Sequence, residues 1–223
     1  MSPTTGPPSA PPLDESPHSV ADCALAFAVP TRQSEFERGT DGRGRDFVPG
    51  MLDANPGRSL ASIWAEYAPI ANYALGLLSE AATAGALAVP DVTFARWSQL
   101  FRERPVVVLF AHCRHGQPDA VEFAGGLVPA PQVARAVPPD FSGVLDFTVC
   151  HSLELAAAVK TRAPHCQLVL NKGETALDER LAILRQVLRL LGTGRFSYPA
   201  ATAEVRLTLI RGAQRGAFSR AAI

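Results

Sequence analysis

The chain has 223 residues, of which 47% are hydrophobic and 19% are charged, a balance typical of a soluble globular protein that buries one substantial core. Lysine plus arginine and aspartate plus glutamate each number 21, so the formal net charge is zero. This composition excludes a disordered or collagen-like chain. Because no block of like charge stands out, it also disfavours nucleic acid and an acidic membrane surface as partners.

The apolar segments are too short to span a membrane, which needs roughly 18 to 20 residues. The best candidate, residues 21–29, has no basic segment before it and does not match a secretory signal. We therefore expect a cytoplasmic protein without a membrane anchor. Its four cysteines are too dispersed for a disulfide framework and are expected to be thiols: Cys23, Cys113, Cys150 and Cys166.

The first third of the chain contains a tail, a strand, a loop and a helix. Residues 1–20 hold six of the 19 prolines and few apolar side chains, which predicts a disordered tail. The apolar run 23–29 predicts a strand buried on both faces of a parallel sheet. Residues 31–58 are polar and glycine-rich and predict a long loop. Apolar residues at helical spacing over 59–83 predict a long helix bent at Pro69.

The middle of the chain contains the best strand signals. Residues 92–100 carry a short helical stripe, and the β-branched run 106–111 predicts the central strand. Turn residues at 116–119 and 125–126 flank a short strand, 120–123, and predict a small hairpin. Residues 144–150 predict another buried strand.

The last third alternates helix and strand. We predict a helix over 153–162, a strand over 167–170, a helix over 177–191 capped by Thr175, and a closing strand over 205–210. Alternating strands and helices predict an α/β fold with a mostly parallel central sheet. The predicted organisation is a tail, 1–20, followed by a single α/β domain, 21–223.

A histidine and a cysteine follow two of the predicted strands directly. His112 comes after the strand 106–111, and Cys150 ends the strand 144–150 just before a helix. Sites in open parallel sheets form beyond the carboxyl ends of the strands. If the two strands are neighbours, roughly 5 Å apart, the imidazole and the thiol share one crevice. A helix N-terminus and an imidazole both favour the thiolate, so this pattern predicts a Cys-His dyad.

These residues resemble the caspase-like clan of cysteine peptidases, in which a catalytic His and Cys close two adjacent strands. The triplet Cys150-His151-Ser152 looks like the Cys-His-Ser-Gly of metacaspases. The turn at Gly125-Gly126 and the helix and strand after Cys150 are more similar to bacterial CHAT-domain peptidases. The resemblance covers about residues 20–195 and implies a caspase-like three-layer α/β/α sandwich.

The chain departs from the family pattern at two places. Caspase-like proteases usually place glycine straight after the catalytic His, whereas Cys113 follows His112, and His115, which precedes a glycine, is the rival base. Thr148 stands where metacaspases carry the Asp that holds a basic substrate side chain. Asp146 lies on the same strand face as Cys150 and is a second candidate for the substrate pocket, although an Asp there can equally orient a buried polar network.

Two alternatives compete with a catalytic dyad. The first is a zinc site, for which the chain offers many residues of the right type: His112, Cys113, His115, Cys150, His151, His165 and Cys166. Their spacing disfavours it, because adjacent strand residues point to opposite faces and Cys166 begins its strand. The other alternative is a catalytically inactive caspase-like scaffold that binds a partner protein. Cys23, Cys166 and His165 are interpreted as packing or surface residues.

The resemblance implies a cysteine endopeptidase that cleaves a protein substrate without a cofactor. In that reading Cys150 is the nucleophile, His112 is the acid and base, and the backbone N–H groups of Cys113 and Cys150 bind the oxyanion. The family also implies gating by an activating protein partner in a bacterial defence or signalling system. The oligomeric state stays open.

Overall fold

The sheet at the centre of the molecule has five parallel strands. The computed structural model describes residues 16–38, 56–111, 113–114, 117–149, 152–170 and 176–221, except the side chains of 38, 113–114, 117–119 and 212–221. The strands are β1 (Cys23–Phe27), β2 (Leu87–Val89), β3 (Val106–Phe110), β7 (Val144–Thr148) and β8 (Gln167–Leu170). They lie side by side in the order β2-β1-β3-β7-β8, and every neighbouring pair is parallel.

The three inner strands, β1, β3 and β7, are buried at every position. Their near-continuous apolar sequences are typical of parallel strands covered on both faces, and this explains why the sequence alone locates them. β7 contains two polar residues, Asp146 and Thr148, which are buried as well.

Helices cover both faces of the sheet and complete a three-layer α/β/α sandwich, which confirms the predicted fold class. One face packs against α3 (Phe94–Leu100), α4 (Ala130–Ala136) and α5 (Leu153–Arg162). The other packs against α2 (Leu60–Thr83), α6 (Leu177–Leu191) and α7 (Tyr198–Ala221). A short helix, α1 (Gln33–Arg38), adds Phe36 to the outer side of α2, against Ile63 and Tyr67. None of the helices in the described residues is both long and apolar enough to cross a membrane.

A second, smaller sheet follows β3. It consists of β4 (Cys113–Arg114), β5 (Gln117–Phe123) and β6 (Gly126–Pro129), all antiparallel. The predicted turn at Gly125-Gly126 joins β5 to β6, and both glycines have positive φ angles, of 100° and 141°. Residues 117–119, which we predicted in a turn, belong to β5 because they extend toward β4, a strand too short to be visible in the sequence.

The closing strand predicted over 205–210 is wrong, because these residues lie inside α7. The alternation of Val205, Leu207 and Leu209 suggested a strand, but the buried positions recur at helical spacing. Tyr198, Ala201 and Val205 are buried against the sheet and α6, whereas Leu207 and Leu209 are about half exposed, at 46% and 49%. The pattern was ambiguous because a short apolar run fits either structure.

Three smaller predictions also need correction. The loop predicted over 31–58 contains α1, whereas residues 39–55 lie outside the described residues. The strand β2 was not predicted, since three half-buried residues carry too little pattern. Thr175 lies outside the described residues, and Ala176 holds the N-cap position of α6. Two caps that the sequence analysis did not name start α2 and α3: the hydroxyls of Ser59 and Thr93 each accept a hydrogen bond from the backbone N–H three residues later.

The ordered domain begins before residue 20. The backbone N–H of His18 donates to the carbonyl oxygen of Phe196 at 2.9 Å, and its Nδ1 accepts from the backbone N–H of Tyr198 at 3.2 Å. Val20 is 8% exposed and belongs to the apolar cluster beneath α7. The tail predicted over 1–20 therefore extends too far, since residues 18–20 are docked. Residues 1–15 lie outside the described residues.

Candidate active site

The carboxyl ends of β3 and β7 lie next to each other. The two strands pair in parallel from Val106–Val144 to Phe110–Thr148, without a register shift. Beyond the last pair, the backbone N–H of Ala111 still donates to the carbonyl oxygen of Thr148, at a long 3.4 Å. The condition on which the dyad prediction depended, that these two strands are neighbours, is therefore met.

The reactive residues of the predicted site fall in a part of the chain that is not described. His112, His115, Cys150 and His151 lie outside the described residues, as does the side chain of Cys113. The residues that precede them, Ala111 and Val149, are fully buried at 0% and 1%. The Cys113 backbone lies in β4 and pairs with Val121 of β5. The dyad, its rival base and the oxyanion donors thus remain predictions.

The strongest electrostatic feature at this edge is a buried arginine that our sequence analysis missed. Arg180, in the first turn of α6, is 3% exposed, and its Nη1 donates to the carbonyl oxygens of Thr148 at 2.6 Å and Ala111 at 3.3 Å. Its guanidinium carbon lies 4.9 Å from the centre of the Phe110 ring. In the sequence Arg180 is one of several charged residues on an amphipathic helix, so no local signal sets it apart.

Asp146 belongs to a buried polar network beneath the same edge. Tyr198 donates its hydroxyl to Asp146 Oδ2 at 2.7 Å, and Thr148 donates to Oδ1 at 3.2 Å. Burial raises the pKa of Asp146 to about 6, against the opposing effects of the Tyr198 hydrogen bond, the positive charge of Arg206 and the Thr148 hydrogen bond. Burial and the neighbouring Asp146 also raise the pKa of Tyr198 well above its ordinary value.

This network bears on the predicted substrate pocket. Asp146 and Thr148, at 7% and 9% exposed, line a cavity of only about 20 Å³ together with Arg180 and Arg206. Of the two interpretations of Asp146, the described contacts favour the buried polar network. A role for either side chain in a substrate pocket remains a prediction.

A second buried charge lies in the small sheet. Glu122 of β5 is 2% exposed. It follows Val121, the residue of β5 that pairs with Cys113 of β4, and it pairs with Leu127 of β6. Our sequence analysis did not single it out, because an isolated glutamate in a seven-residue strand is usually solvent-facing.

The two described cysteine side chains are packing residues, as predicted. Cys23 and Cys166 are both fully buried, and burial raises the pKa of each thiol to about 12. Both thiols are therefore protonated and inert near neutral pH. Cys166 precedes β8, at the opposite end of the sheet from Val149, and His165 is exposed.

The described surface also carries two larger grooves. One, of about 720 Å³, runs along the amino-terminal ends of β3 and β7 and includes His18 and Arg104. The other, of about 870 Å³, follows the outer edge of β8 beside Leu153 and Ser197. Within the described residues, no group of three His, Cys, Asp or Glu side chains is arranged to hold a metal ion.

No protein-family model matches the sequence, and no curated protein is significantly similar to it.

Proposed function

We propose that the chain is a cysteine endopeptidase of caspase-like type, with Cys150 as the nucleophile and His112 as the acid and base. The observation that carries the proposal is the in-register parallel pairing of β3 with β7 up to Phe110–Thr148. Counting two residues beyond this pair leads to His112 on one strand and Cys150 on the other. Because consecutive Cα atoms are 3.8 Å apart, both residues start from backbone that is already aligned.

The mechanism follows from these two residues. His112 takes the proton of the Cys150 thiol and becomes an imidazolium. The resulting thiolate attacks the carbonyl carbon of a substrate peptide bond, and the backbone N–H groups of Cys113 and Cys150 stabilise the oxyanion. When the intermediate collapses, the C–N bond breaks and the imidazolium of His112 protonates the leaving amine. Neutral His112 then takes a proton from water, which attacks the thioester and releases the acid and the thiol. The proposed steps use no cofactor.

Glu122 is the described carboxylate best placed to orient His112. In an antiparallel pair, one step back along one strand matches one step forward along the other. Although the ladder shifts register between Cys113 and Arg114, counting one step the other way from the pair Cys113–Val121 arrives at sequence positions 112 and 122. A buried carboxylate opposite the imidazole would fix its tautomer and stabilise the imidazolium, as the third member of a triad does.

The test combines alkylation of the cysteines with peptide cleavage. In the wild-type protein, iodoacetamide near pH 7 should label Cys150 at least tenfold faster than Cys23, Cys113 and Cys166, read by mass spectrometry of the digested protein. Cys150→Ala and His112→Ala should abolish cleavage of a diverse peptide library and keep the fold, while the matched control His115→Ala is milder. Loss of activity in His115→Ala but not in His112→Ala would move the base to His115.

The competing function is the inactive scaffold. It predicts a Cys150 that is labelled no faster than an ordinary exposed thiol and a chain that cleaves no peptide under any condition. Both results together would exclude the peptidase.

The peptidase is further proposed to be gated by a protein partner or by self-association. A protease that cuts freely would damage its own cell, and completing a site on binding is a common restraint. We expect slow turnover of the peptide library by the isolated chain and faster turnover with rising chain concentration or with products of neighbouring genes. Rapid turnover that is independent of concentration would contradict gating.

A further inference from the structure

The backbone pairing of β3 with β7 can be followed to Ala111 and Thr148, just before the residues of the proposed dyad. Along the paired region the strands follow a regular parallel register, but the last interstrand contact, from Ala111 N–H to the Thr148 carbonyl oxygen, is stretched to 3.4 Å. A hydrogen bond of this length is weak. A further contact that reaches both strand ends would help to hold them at a fixed distance, so that the residues that follow can work together.

Arg180 supplies that contact. Its Nη1 donates to both strand ends, at 2.6 Å to Thr148 and 3.3 Å to Ala111, and its guanidinium lies over the ring of Phe110. Hydrogen bonds from a charged donor are about twice as strong as neutral ones. The bridged carbonyls belong to the residue directly before His112 and to the residue two positions before Cys150.

Packing alone does not account for an arginine here. The neighbouring positions on the inner face of α6, Leu181 and Leu184, are apolar and buried against the same side of the sheet. Burying a guanidinium is costly, and replacing a buried charge with a well-packed apolar side chain is often neutral or stabilising. The arginine is therefore better explained by what it holds in place than by its contribution to folding stability.

We propose that Arg180 is a positioning residue that fixes the separation of the ends of β3 and β7, so that His112 and Cys150 meet the same substrate carbonyl. This inference rests on the proposed function. The charged and titratable groups that share its small cavity are Asp146 of β7 and Tyr198 and Arg206 of α7. Asp146 accepts hydrogen bonds from Tyr198 and Thr148, and Arg180 donates to the carbonyl oxygens of Thr148 and Ala111.

The test measures the reactivity of Cys150 in three variants. Arg180→Met keeps the side-chain length and removes the charge and the donors, whereas Arg180→Lys keeps the charge but donates from a single point. Arg189→Met removes an exposed arginine from the same helix and serves as the matched control. The readouts are the rate constant for alkylation of Cys150, its dependence on pH, the melting temperature and, where cleavage is measurable, kcat/KM.

We expect Arg180→Met to slow alkylation of Cys150 at pH 7 at least fivefold, because a thiol no longer aligned with an imidazole is mostly protonated. The pH dependence of the Cys150 alkylation rate should move toward that of an ordinary thiol, which reaches its half-maximal rate at about pH 8.5. Arg180→Lys should be intermediate, at least threefold slower than wild type, and Arg189→Met should stay within twofold. A merely structural role would lower the melting temperature and leave the pH profile of the folded protein unchanged.

A folded Arg180→Met protein with the wild-type rate and pH profile would overturn the proposal. If that variant does not fold, a folded Arg180→Lys protein that is alkylated as fast as wild type would overturn it equally. The two proposals fail in different ways. A wild-type protein whose Cys150 is activated but which cleaves no peptide refutes the peptidase alone, whereas full activity in Arg180→Met refutes the positioning role alone.

Discussion

At the scale of single residues, the molecule places charge where an α/β core is normally apolar. Asp146, Glu122 and Arg180 are all at most 7% exposed. Two of them, Asp146 and Arg180, lie on the same face of the sheet and line one small cavity at the end of β7. Because an isolated buried charge costs several kcal/mol, each must be compensated by its surroundings, and the contacts of Asp146 and Arg180 show how.

Asp146 should make the stability of the protein depend on pH. The pKa of this carboxyl is about 6 in the folded protein, compared with the ordinary value of 3.8 expected in the unfolded chain, so the folded state holds the proton more tightly. Stability therefore falls as pH rises from about 4 to 6, by on the order of 3 kcal/mol. Asp146→Asn has no carboxyl to titrate, so its free energy of unfolding relative to wild type should rise between about pH 4 and 6. Urea denaturation at several pH values measures this difference. A difference that does not change between pH 4 and 7 would contradict the shifted pKa.

Glu122 should affect the rate of the chemical step more than substrate binding. We predict that Glu122→Gln, which keeps the side-chain shape, lowers kcat about 10- to 100-fold with little change in KM, because the imidazole of His112 loses its orienting charge. Steady-state cleavage of a good library peptide measures both constants. The exposed residue Glu204 provides the control variant, Glu204→Gln, which should behave as wild type. An unchanged kcat in Glu122→Gln would remove Glu122 from the proposed mechanism.

At the scale of secondary-structure elements, the largest correction concerns α7. Its inner face, with Tyr198, Ala201 and Val205, packs on the sheet beside α6 and carries the hydroxyl that reaches Asp146. A strand in the same place would put Val205, Leu207 and Leu209 on one face, whereas the helix buries the first and exposes the other two. The edge of the described sheet is consequently β8, not a strand at 205–210.

A helix and a strand over residues 205–210 predict different results for a pair of alanine variants. In the helix, Val205→Ala removes two methyl groups from a buried site and should cost about 1 to 3 kcal/mol. Leu207→Ala acts on a side chain that is 46% exposed and should change stability by no more than about 0.5 kcal/mol. In a chain of this size each kcal/mol of lost stability lowers the melting temperature by roughly 2 to 4 °C, so the two variants can be compared by thermal unfolding. Equal losses in the two variants would argue for a strand.

At the scale of the whole molecule, the amino-terminal segment is joined to the start of the last helix. His18 forms two hydrogen bonds to residues 196 and 198, and Val20 is buried beneath α7. The contact closes the layer formed by α2, α6 and α7 at the amino-terminal end of the sheet. Segments far apart in sequence, 16–22 and 196–205, thus form one packing unit.

Two deletions test where the ordered domain begins. Because residues 1–15 are rich in proline and poor in apolar side chains, removing residues 2–15 should change the melting temperature by less than about 2 °C. Removing residues 2–20 also deletes Val20 and both hydrogen bonds of His18 and should lower it by about 5 °C or more. Equal melting temperatures for the two truncated proteins would show that residues 16–20 contribute nothing to stability.

The sequence by itself determined the class of the fold and most of its elements. The apolar runs of β1, β3 and β7 and the apolar faces of the helices α2, α3 and α6 are local patterns, which can be recognised without knowledge of the rest of the chain. The sequence also places His112 and Cys150 directly after two of these strands by residue count, and the dyad itself stays a prediction.

The tertiary structure alone decided which elements are neighbours and which charges are buried. That β3 pairs with β7 depends on hydrogen bonds between residues 38 positions apart, and that 205–210 is helical depends on packing against α6 and the sheet. Arg180 looks like any surface arginine until α6 is placed across the strand ends, when its guanidinium meets the carbonyls of Ala111 and Thr148. Such contacts join distant segments, so no window of the sequence contains them.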